Sequence, residues 1–223
     1  MPDRQAGTYA RERYQAGLRS YRRRMRPYFL GLLTAAFVAL AIVAALHGID
    51  RWSLTAGVMT GGLISMALWL RDEPPEFIAK WGRGAQGEKK TAKAIAPLLR
   101  EGWKARHDID LGRGNADHLL LNPAGVAFLL ETKKLVGQIT VERGRLTCRF
   151  ADDPNEPRRY DLKSPIAALT SQVREQWSRR SGREAPELRT VVVLWGIFPA
   201  RIVRDGELVY VAGDALADYL RQA

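Results

Sequence analysis

The chain has 223 residues, of which 46% are apolar and 26% are charged, and its formal net charge is +11. This apolar content is ample for a packed core and allows one or two domains, which excludes a chain too polar to fold. The single cysteine, Cys148, excludes a disulfide within the chain, as expected for a domain in a reducing compartment.

Two long uncharged segments stand near the start of the chain. Residues 27–49 and residues 52–70 contain no Lys, Arg, Asp or Glu. The shorter segment would span about 28 Å as a helix, close to the roughly 30 Å of a bilayer's hydrocarbon core. We therefore predict a transmembrane helical hairpin over residues 27–71, with spans at about 28–48 and 53–70. A buried hairpin of a soluble bundle and a cleaved signal peptide are the alternatives.

The distribution of arginines predicts the orientation of this hairpin. Residues 1–26, the arginine-rich tail, carry eight arginines against two acids, whereas the turn at 48–51 carries one arginine and one acid. By the positive-inside rule the tail is cytoplasmic, and a second span returns the following domain to the cytoplasmic side. We expect the tail to bind anionic lipid head groups of the cell membrane. Gly57 and Gly61 have the spacing that lets two membrane helices approach closely.

The rest of the chain alternates between helical and strand patterns. A linker at 72–81 precedes a domain at 82–223, which begins with a helix at 82–101. A second helix is predicted from Ser164, as N-cap, to Arg180, and a third at 214–221. The order of elements indicates an α/β sandwich built on a mixed sheet. Strands are predicted at 104–111, 115–121, 126–134, 137–142, 145–150 and 189–195 and in a hairpin around Asp205-Gly206.

One predicted hairpin brings charged side chains together. Pro123 suits the first corner of a type I turn and Gly125 the left-handed position after it, so Asn122 pairs with Val126. In that register Asp117 lies directly opposite Glu131 on the same face. Lys133, two residues beyond Glu131, points to that face as well.

Such a cluster has two interpretations. Two carboxylates at this separation can share a divalent cation such as Mg²⁺. A surface hairpin with a carboxylate–lysine salt bridge is the alternative. The neighbouring residues 119–121 and 128–130 are apolar, which indicates central strands, where charges are costly unless they are paired or bind a ligand.

The spacing Asp117-x13-Glu131-x-Lys133 resembles the signature of PD-(D/E)XK nucleases. A wider set of residues is similar to the nuclease-related domain (NERD) family, most clearly over 82–146. This set comprises Gly84-x-x-Gly87-Glu88, Ala116 to Leu120, Gly125-Val126 and Gly137. The resemblance implies a PD-(D/E)XK-like mixed-sheet sandwich after the membrane hairpin.

The resemblance also implies a site for Mg²⁺ or Mn²⁺. Its ligands would be Asp117, Glu131, Glu88 and the backbone carbonyl of Thr132. Lys133 would orient or activate the attacking water, which agrees with the general chemistry of metal-assisted hydrolysis.

One further residue is implied with a departure from the family pattern. Family members commonly carry a glutamine soon after the proline that starts the later helix. Here Ala168 stands three residues after Pro165, and Gln172, one helical turn further, is the candidate for that role.

The expected function is metal-dependent hydrolysis of phosphodiester bonds in DNA, or in RNA, by a membrane-anchored enzyme on the cytoplasmic side. A catalytically inactive nuclease-fold module that binds nucleic acid or a partner at the membrane is one alternative. A structural or signalling membrane protein, in which the carboxylates only form a salt bridge, is the other.

Overall fold

A computed structural model describes residues 4–47, 51–72, 74–112, 114–143, 145–150 and 156–223. The described residues up to Arg11 join Gly82–Ala223 in one compact unit, and Glu12–Trp81 form a second unit. The helices are α1 (Thr8–His47), α2 (Arg51–Asp72), α3 (Glu76–Arg100), α4 (Lys163–Ser181) and α5 (Leu216–Gln222). The strands are β1 (Lys104–Asp110), β2 (Asn115–Leu121), β3 (Ala127–Glu142), β4 (Arg145–Arg149), β5 (Arg158–Asp161), β6 (Leu188–Ile197), β7 (Ile202–Asp205) and β8 (Leu208–Ala212).

The second unit contains most of α1 and all of α2. Within the described part of the chain, one helical segment, Thr8–Leu46, is long and apolar enough to cross a membrane. The apolar stretch of α2, Leu54–Met66, is shorter. No described atom lies within 4 Å of a Cβ built on Gly57 or Gly61, so these glycines make no close helix contact here. The predicted turn at 48–51 lies largely outside the described residues.

The first unit is built on a mixed sheet, as predicted. The strand order is β1-β2-β3-β6-β8-β7, and β4 and β5 extend from β3 beside this path. β3 pairs with β6, and β6 with β8, in parallel, whereas the remaining neighbours are antiparallel. Parallel strands need long crossover connections, and the segment containing α4 supplies the one between β3 and β6.

α3 and α4 cover opposite faces of the sheet. The hydroxyl of Thr132 on β3 is 3.0 Å from the hydroxyl of Thr91 on α3. Leu129, on the same strand, packs instead with Val173 of α4. Because side chains alternate along a strand, positions 129 and 132 point to opposite faces. Each helix therefore protects one face of β3, which is buried as a central strand should be.

β3 continues through the segment where two separate strands were expected. Its register against β6 shifts between Lys134 and Gln138, which marks an irregularity that bends the strand. Gly137 has a φ of +143°, and a Cβ there would lie 2.3 Å from the carbonyl oxygen of Arg149 on β4. The glycine thus permits a close approach of β4, and it does not end the strand.

Other elements also differ from the sequence prediction. Residues 76–81, predicted as linker, belong to α3, which also retains Pro97 in its last turn. α4 has Leu162 as its N-cap, so the prediction of Ser164 was wrong. The carboxylate of Asp161 accepts the N–H of Lys163 at 3.1 Å and supplies the acceptor that a capping side chain would provide. β5 was not predicted because its sequence, Arg-Arg-Tyr-Asp, lacks apolar alternation.

Candidate active site

The turn between β2 and β3 has the predicted geometry. Gly125 has a φ of +88°, and its N–H donates to the carbonyl oxygen of Asn122 at 3.0 Å. The N–H of Val126 donates to the side-chain oxygen of Asn122 at 2.8 Å. These bonds fix the register in which His118 pairs with Leu130, which confirms the register predicted from the turn.

Asp117 and Glu131 follow directly beyond the last regular pair of the β2–β3 ladder. At this point the Asp117 carboxylate replaces a backbone acceptor, because its Oδ2 accepts the N–H of Thr132 at 2.7 Å. Burial, and then the charges of Glu131 and Glu88, raise the pKa of Asp117 well above its usual value. A buried carboxylate surrounded by like charges favours either protonation or a bound cation.

Lys133 lies beside Glu131 on the same face of β3. Its Nζ donates to Oε1 of Glu131 at 2.6 Å, and the lysine and glutamate side chains are 35% and 16% exposed. Burial lowers the pKa of Lys133, but the charges of Glu131 and Asp117 more than offset this effect, so the pKa is raised. Lys133 therefore carries its positive charge at neutral pH.

Glu88 reaches the site from α3 because the helix lies very close to β3. A Cβ built on Gly87 would be 3.0 Å from Cβ of Lys134 and 3.1 Å from Cγ2 of Thr132. Only glycine allows this separation without displacing a neighbour. The hydrogen-bonded pair Thr91 and Thr132 holds the next turn of the helix against the same strand.

The Glu88 carboxylate is 5% exposed and lies among other charges. Burial and the charge of Asp108 raise its pKa to about 7, whereas a hydrogen bond donated by the Gly7 N–H lowers it in part. Glu131 and Lys133 also interact with it electrostatically. Its Oε2 is buried and has no hydrogen-bond partner, which is unusual for a carboxylate oxygen.

Asp108 is a member of this cluster that sequence reasoning missed. It is 2% exposed and adopts a φ of +54°, which few non-glycine residues do. Its Oδ2 accepts the backbone N–H of Tyr9 at 2.5 Å, and its Oδ1 accepts from the Asn115 side chain at 2.8 Å. The sequence gives little signal for it, because it stands in an ordinary alternating strand and one of its partners lies 99 positions away.

Gln172, the candidate for the displaced family glutamine, is half-buried on α4. Within the described structure it has no hydrogen bond to Asp117, Glu131 or Lys133, although all four residues belong to the described part of the chain. Ala168, one turn earlier, is exposed. The role of Gln172 in the site therefore stays a prediction.

Two histidines, the half-buried His107 and the buried His118, form a separate pair. Nδ1 of His107 on β1 and Nδ1 of His118 on β2 are 2.7 Å apart. Burial and the neighbouring His107 lower the pKa of His118 to about 3, so its imidazole is neutral. Because His118 alternates with Asp117 along β2, it points to the other face.

The donor set fits a hard divalent cation. Carboxylate oxygens are the ligands that Mg²⁺ and Mn²⁺ prefer, and one ammonium group does not neutralise the carboxylates around it. The unpartnered Oε2 of Glu88 is an acceptor that such a cation would satisfy. Among the described residues, no three His, Cys, Asp or Glu side chains already stand in a ligating arrangement. Glu131, paired with Lys133, would have to turn towards Asp117 and Glu88.

Three basic side chains lie near one another on the α3 side of β3. Burial, and then the charges of Lys90 and Arg83, lower the pKa of Lys134, so these three cations lie near one another. Nζ of Lys134 also donates to the Gln86 side chain at 2.5 Å. Lys90 lies over the ring of Trp195, with 5.3 Å between Nζ and the ring centroid. Together they form a positive surface on the α3 side of β3.

A mixed sheet that carries two carboxylates and a lysine on adjacent central strands, with a glutamate from the covering helix, defines a nuclease-like domain. Residues 83–195 match the model of the family described as NERD, nuclease-related domain. The match covers half of the chain, and the chain belongs to this family. No curated protein and no solved structure matches the chain.

Proposed function

We propose that the protein is a membrane-anchored, divalent-metal-dependent nuclease that hydrolyses phosphodiester bonds of DNA, or of RNA, on the cytoplasmic side. The observation that carries the proposal is the convergence of Asp117, Glu131 and Glu88 around one ammonium group, with a buried Glu88 oxygen that lacks a partner. Buried like charges are costly unless they serve a ligand.

The residues have separate roles in this proposal. Asp117, Glu131 and Glu88 would hold Mg²⁺ or Mn²⁺, with the carbonyl oxygen of Thr132 as a further ligand. When bound there, the metal would supply charge neutralisation at the phosphate and activation of water. Lys133, kept cationic by its neighbours, stabilises negative charge that develops on the phosphate and orients the water.

The positive surface supports a nucleic-acid substrate. Lys90 is exposed and Lys134 half-buried on this surface, where they would contact phosphates of a bound strand. Phosphate contacts of this kind position a strand without reading its sequence. They account for binding to DNA and to RNA equally well.

The apolar segment of α1 and the arginine-rich tail support anchoring at a membrane with anionic head groups. In the proposed topology α1 and α2 both cross, and both termini are cytoplasmic. The arginine asymmetry across the uncharged segments supports this orientation.

A binding module without turnover is the second candidate. Two observations favour it: Gln172 makes no hydrogen bond to the site residues within the described structure, and Glu131 is engaged by Lys133. Such a module would bring nucleic acid to the membrane without cleaving it. It would retain the positive surface and dispense with the metal.

The deciding experiment is cleavage of plasmid DNA, single-stranded DNA and RNA by the full chain in detergent. The full chain is required because residues before Arg11 belong to the catalytic unit. We expect cleavage with Mg²⁺ or Mn²⁺, none with EDTA, and none by Asp117→Asn. Asp214→Asn, an acid paired with Arg201 elsewhere in the unit, is the matched control. Binding of nucleic acid without metal and without cleavage would contradict the nuclease and support the binding module.

A further inference from the structure

A short amino-terminal turn, residues 5–11, packs against the nuclease-like unit. Ala6 and Ala10 are 8% and 4% exposed, and Gly7 is buried with them. The turn is closed internally, because the N–H of Thr8 donates to the carbonyl oxygen of Gln5 at 3.2 Å. It lies in the same compact unit as Gly82–Ala223.

The turn packs against small residues of α3. Gly7 has a φ of +77°, and a Cβ there would lie 2.8 Å from the carbonyl oxygen of Ala85. A Cβ on Gly84 would lie 3.9 Å from Cβ of Ala10. Gly7 therefore lets the two backbones approach closely at Ala85, whereas Gly84 has room for a Cβ in ordinary contact with Ala10. Gly84 faces the turn and Gly87 faces β3.

The turn directs two backbone N–H groups at carboxylates of the site. Gly7 donates to Glu88, and Tyr9 donates to Asp108 at 2.5 Å. Both groups lie at the start of α1, where backbone N–H groups have no acceptor within the helix and the helix dipole is positive. The two buried carboxylates thus supply acceptors for two backbone N–H groups that have none within the helix.

These contacts leave a specific arrangement at Glu88. One carboxylate oxygen is held by Gly7, and Oε2 remains without a partner. Asp108, held by Tyr9 and Asn115, faces Glu88 without competing for the same donors. The hydrogen bond therefore fixes the orientation of Glu88 and leaves its other oxygen for a ligand.

We propose that the amino-terminal turn is an integral part of the active site, in which Gly7 positions Glu88 and Asp108 secures the turn. The proposal rests on the proposed nuclease function, because that function is what the positioning of Glu88 would serve. The geometry rests on the described contacts alone. Gly7 and Asp108 are positioning residues, since neither needs to touch the substrate.

The test compares Gly7→Ala with Gly206→Ala in the full chain in detergent. Gly206 also has a positive φ, +61°, but no atom within 4 Å of an added Cβ, so it controls for backbone strain alone. Two readouts do not require metal or substrate: the rate at which a carbodiimide modifies Glu88, followed by mass spectrometry, and the rate of tryptic cleavage at Arg11. Mn²⁺ affinity, measured by electron paramagnetic resonance, is the third.

We expect Gly7→Ala to raise both rates about tenfold or more and to weaken Mn²⁺ binding similarly, as loss of a hydrogen bond to a charged group predicts. Gly206→Ala should behave like wild type. Unchanged protection of Glu88 in Gly7→Ala, or equal effects of both substitutions, would overturn the proposal. If Gly7→Ala does not fold, Asp108→Asn decides: faster cleavage at Arg11 supports docking, and an unchanged rate overturns it.

Failure of the nuclease function gives a different result. Wild type would then neither bind Mn²⁺ nor cleave DNA, while the carbodiimide and trypsin comparisons would still show whether the turn holds Glu88.

Discussion

At the scale of single residues, one cluster of charges has opposite effects on its acids and its base. Glu88 and Asp117 are buried and lie near other carboxylates that repel them, so the pKa values of both rise. The same carboxylates attract the ammonium of Lys133 and raise its pKa. The two carboxyls are therefore protonated more readily than usual, and a divalent ion bound as proposed would compete with these protons.

Replacement of Lys133 separates catalysis from structure. Lys133→Met should reduce the cleavage rate by about 10²–10⁴-fold, because it removes a positioned charge from the transition state. DNA affinity should fall modestly, since one contact among several is lost. With Mg²⁺ present, the free energy of unfolding should change by no more than about 1 kcal/mol, because the metal would compensate the carboxylates and a partly exposed ion pair contributes little.

The matched control is Lys163→Met, which breaks the ion pair of Lys163 with Asp205, 3.6 Å apart and away from the site. It should keep full activity. A large loss of stability in Lys133→Met, in a protein whose wild type cleaves nothing, would instead identify Lys133 as a purely structural partner of Glu131.

The raised pKa of Glu88 predicts a pH dependence of stability without metal. The folded pKa is about 7 and the ordinary value 4.5, so between these values the folded state binds more protons than the unfolded state. The free energy of unfolding should therefore fall as pH rises from about 4.5 to about 7. Glu88→Gln removes this contribution, and its curve should be flatter.

The measurement is the thermal midpoint of both proteins from pH 4.5 to 8, with EDTA and with Mg²⁺. Mg²⁺ should raise the wild-type midpoint more at pH 8 than at pH 6, because protonated Glu88 is a poor ligand. Parallel curves for wild type and Glu88→Gln would show that Glu88 titrates near its ordinary value.

The sequence supports only part of this site. The turn at 122–125 suffices to predict the register in which His118 pairs with Leu130, because hairpin geometry is local, and Asp117 and Glu131 follow directly beyond this pair. Glu88 was predicted as a site residue only from the family resemblance, because no local sequence feature indicates where α3 packs. Asp108 was missed because its role depends on a hydrogen bond to Tyr9, a partner remote in sequence.

At the scale of elements, α3 is positioned by two glycines with different environments. A Cβ on Gly87 would approach Thr132 and Lys134 to about 3.0–3.1 Å, whereas one on Gly84 would meet its nearest atom at 3.9 Å. The same substitution should therefore have opposite effects one turn apart.

Gly84→Ala should stabilise the protein by up to about 1 kcal/mol, because alanine favours the helix over glycine. Gly87→Ala should gain the same amount from helix propensity but lose about 1–3 kcal/mol to overpacking against β3. It should also weaken Mg²⁺ binding, since Glu88 moves with the helix. Thermal midpoints with and without Mg²⁺ test both expectations. Equal stabilisation by the two substitutions would mean that α3 does not lie close to β3.

The elements differ in how far local sequence determines them. β2 was predicted from end to end because apolar residues and a strong turn define it. β5 pairs only with β4 and carries mostly charged residues, so tertiary pairing alone makes it a strand. α1 begins at Thr8, well before the uncharged segment, because arginine is a good helix former and the first residues dock on the first unit.

At the scale of the whole molecule, topology is open to direct measurement. With both α1 and α2 crossing, a reporter fused after Ala223 should lie on the cytoplasmic side and one inserted within 48–51 on the opposite side. Paired reporters that are active in complementary compartments would report this result. A fusion at Ala223 that is active only outside the cytoplasm would contradict it.

The docking of residues 5–11 limits how many times the chain can cross a membrane. Parts of one compact unit must share one side of any bilayer, and here the unit combines residues up to Arg11 with Gly82–Ala223. A path that leaves a compartment and returns to it crosses the boundary an even number of times. We therefore expect residues 12–81 to cross either not at all or twice, so that a crossing by α1 would be followed by a return through α2. This limit does not depend on the distribution of arginines, so the two arguments for the membrane topology can be tested independently.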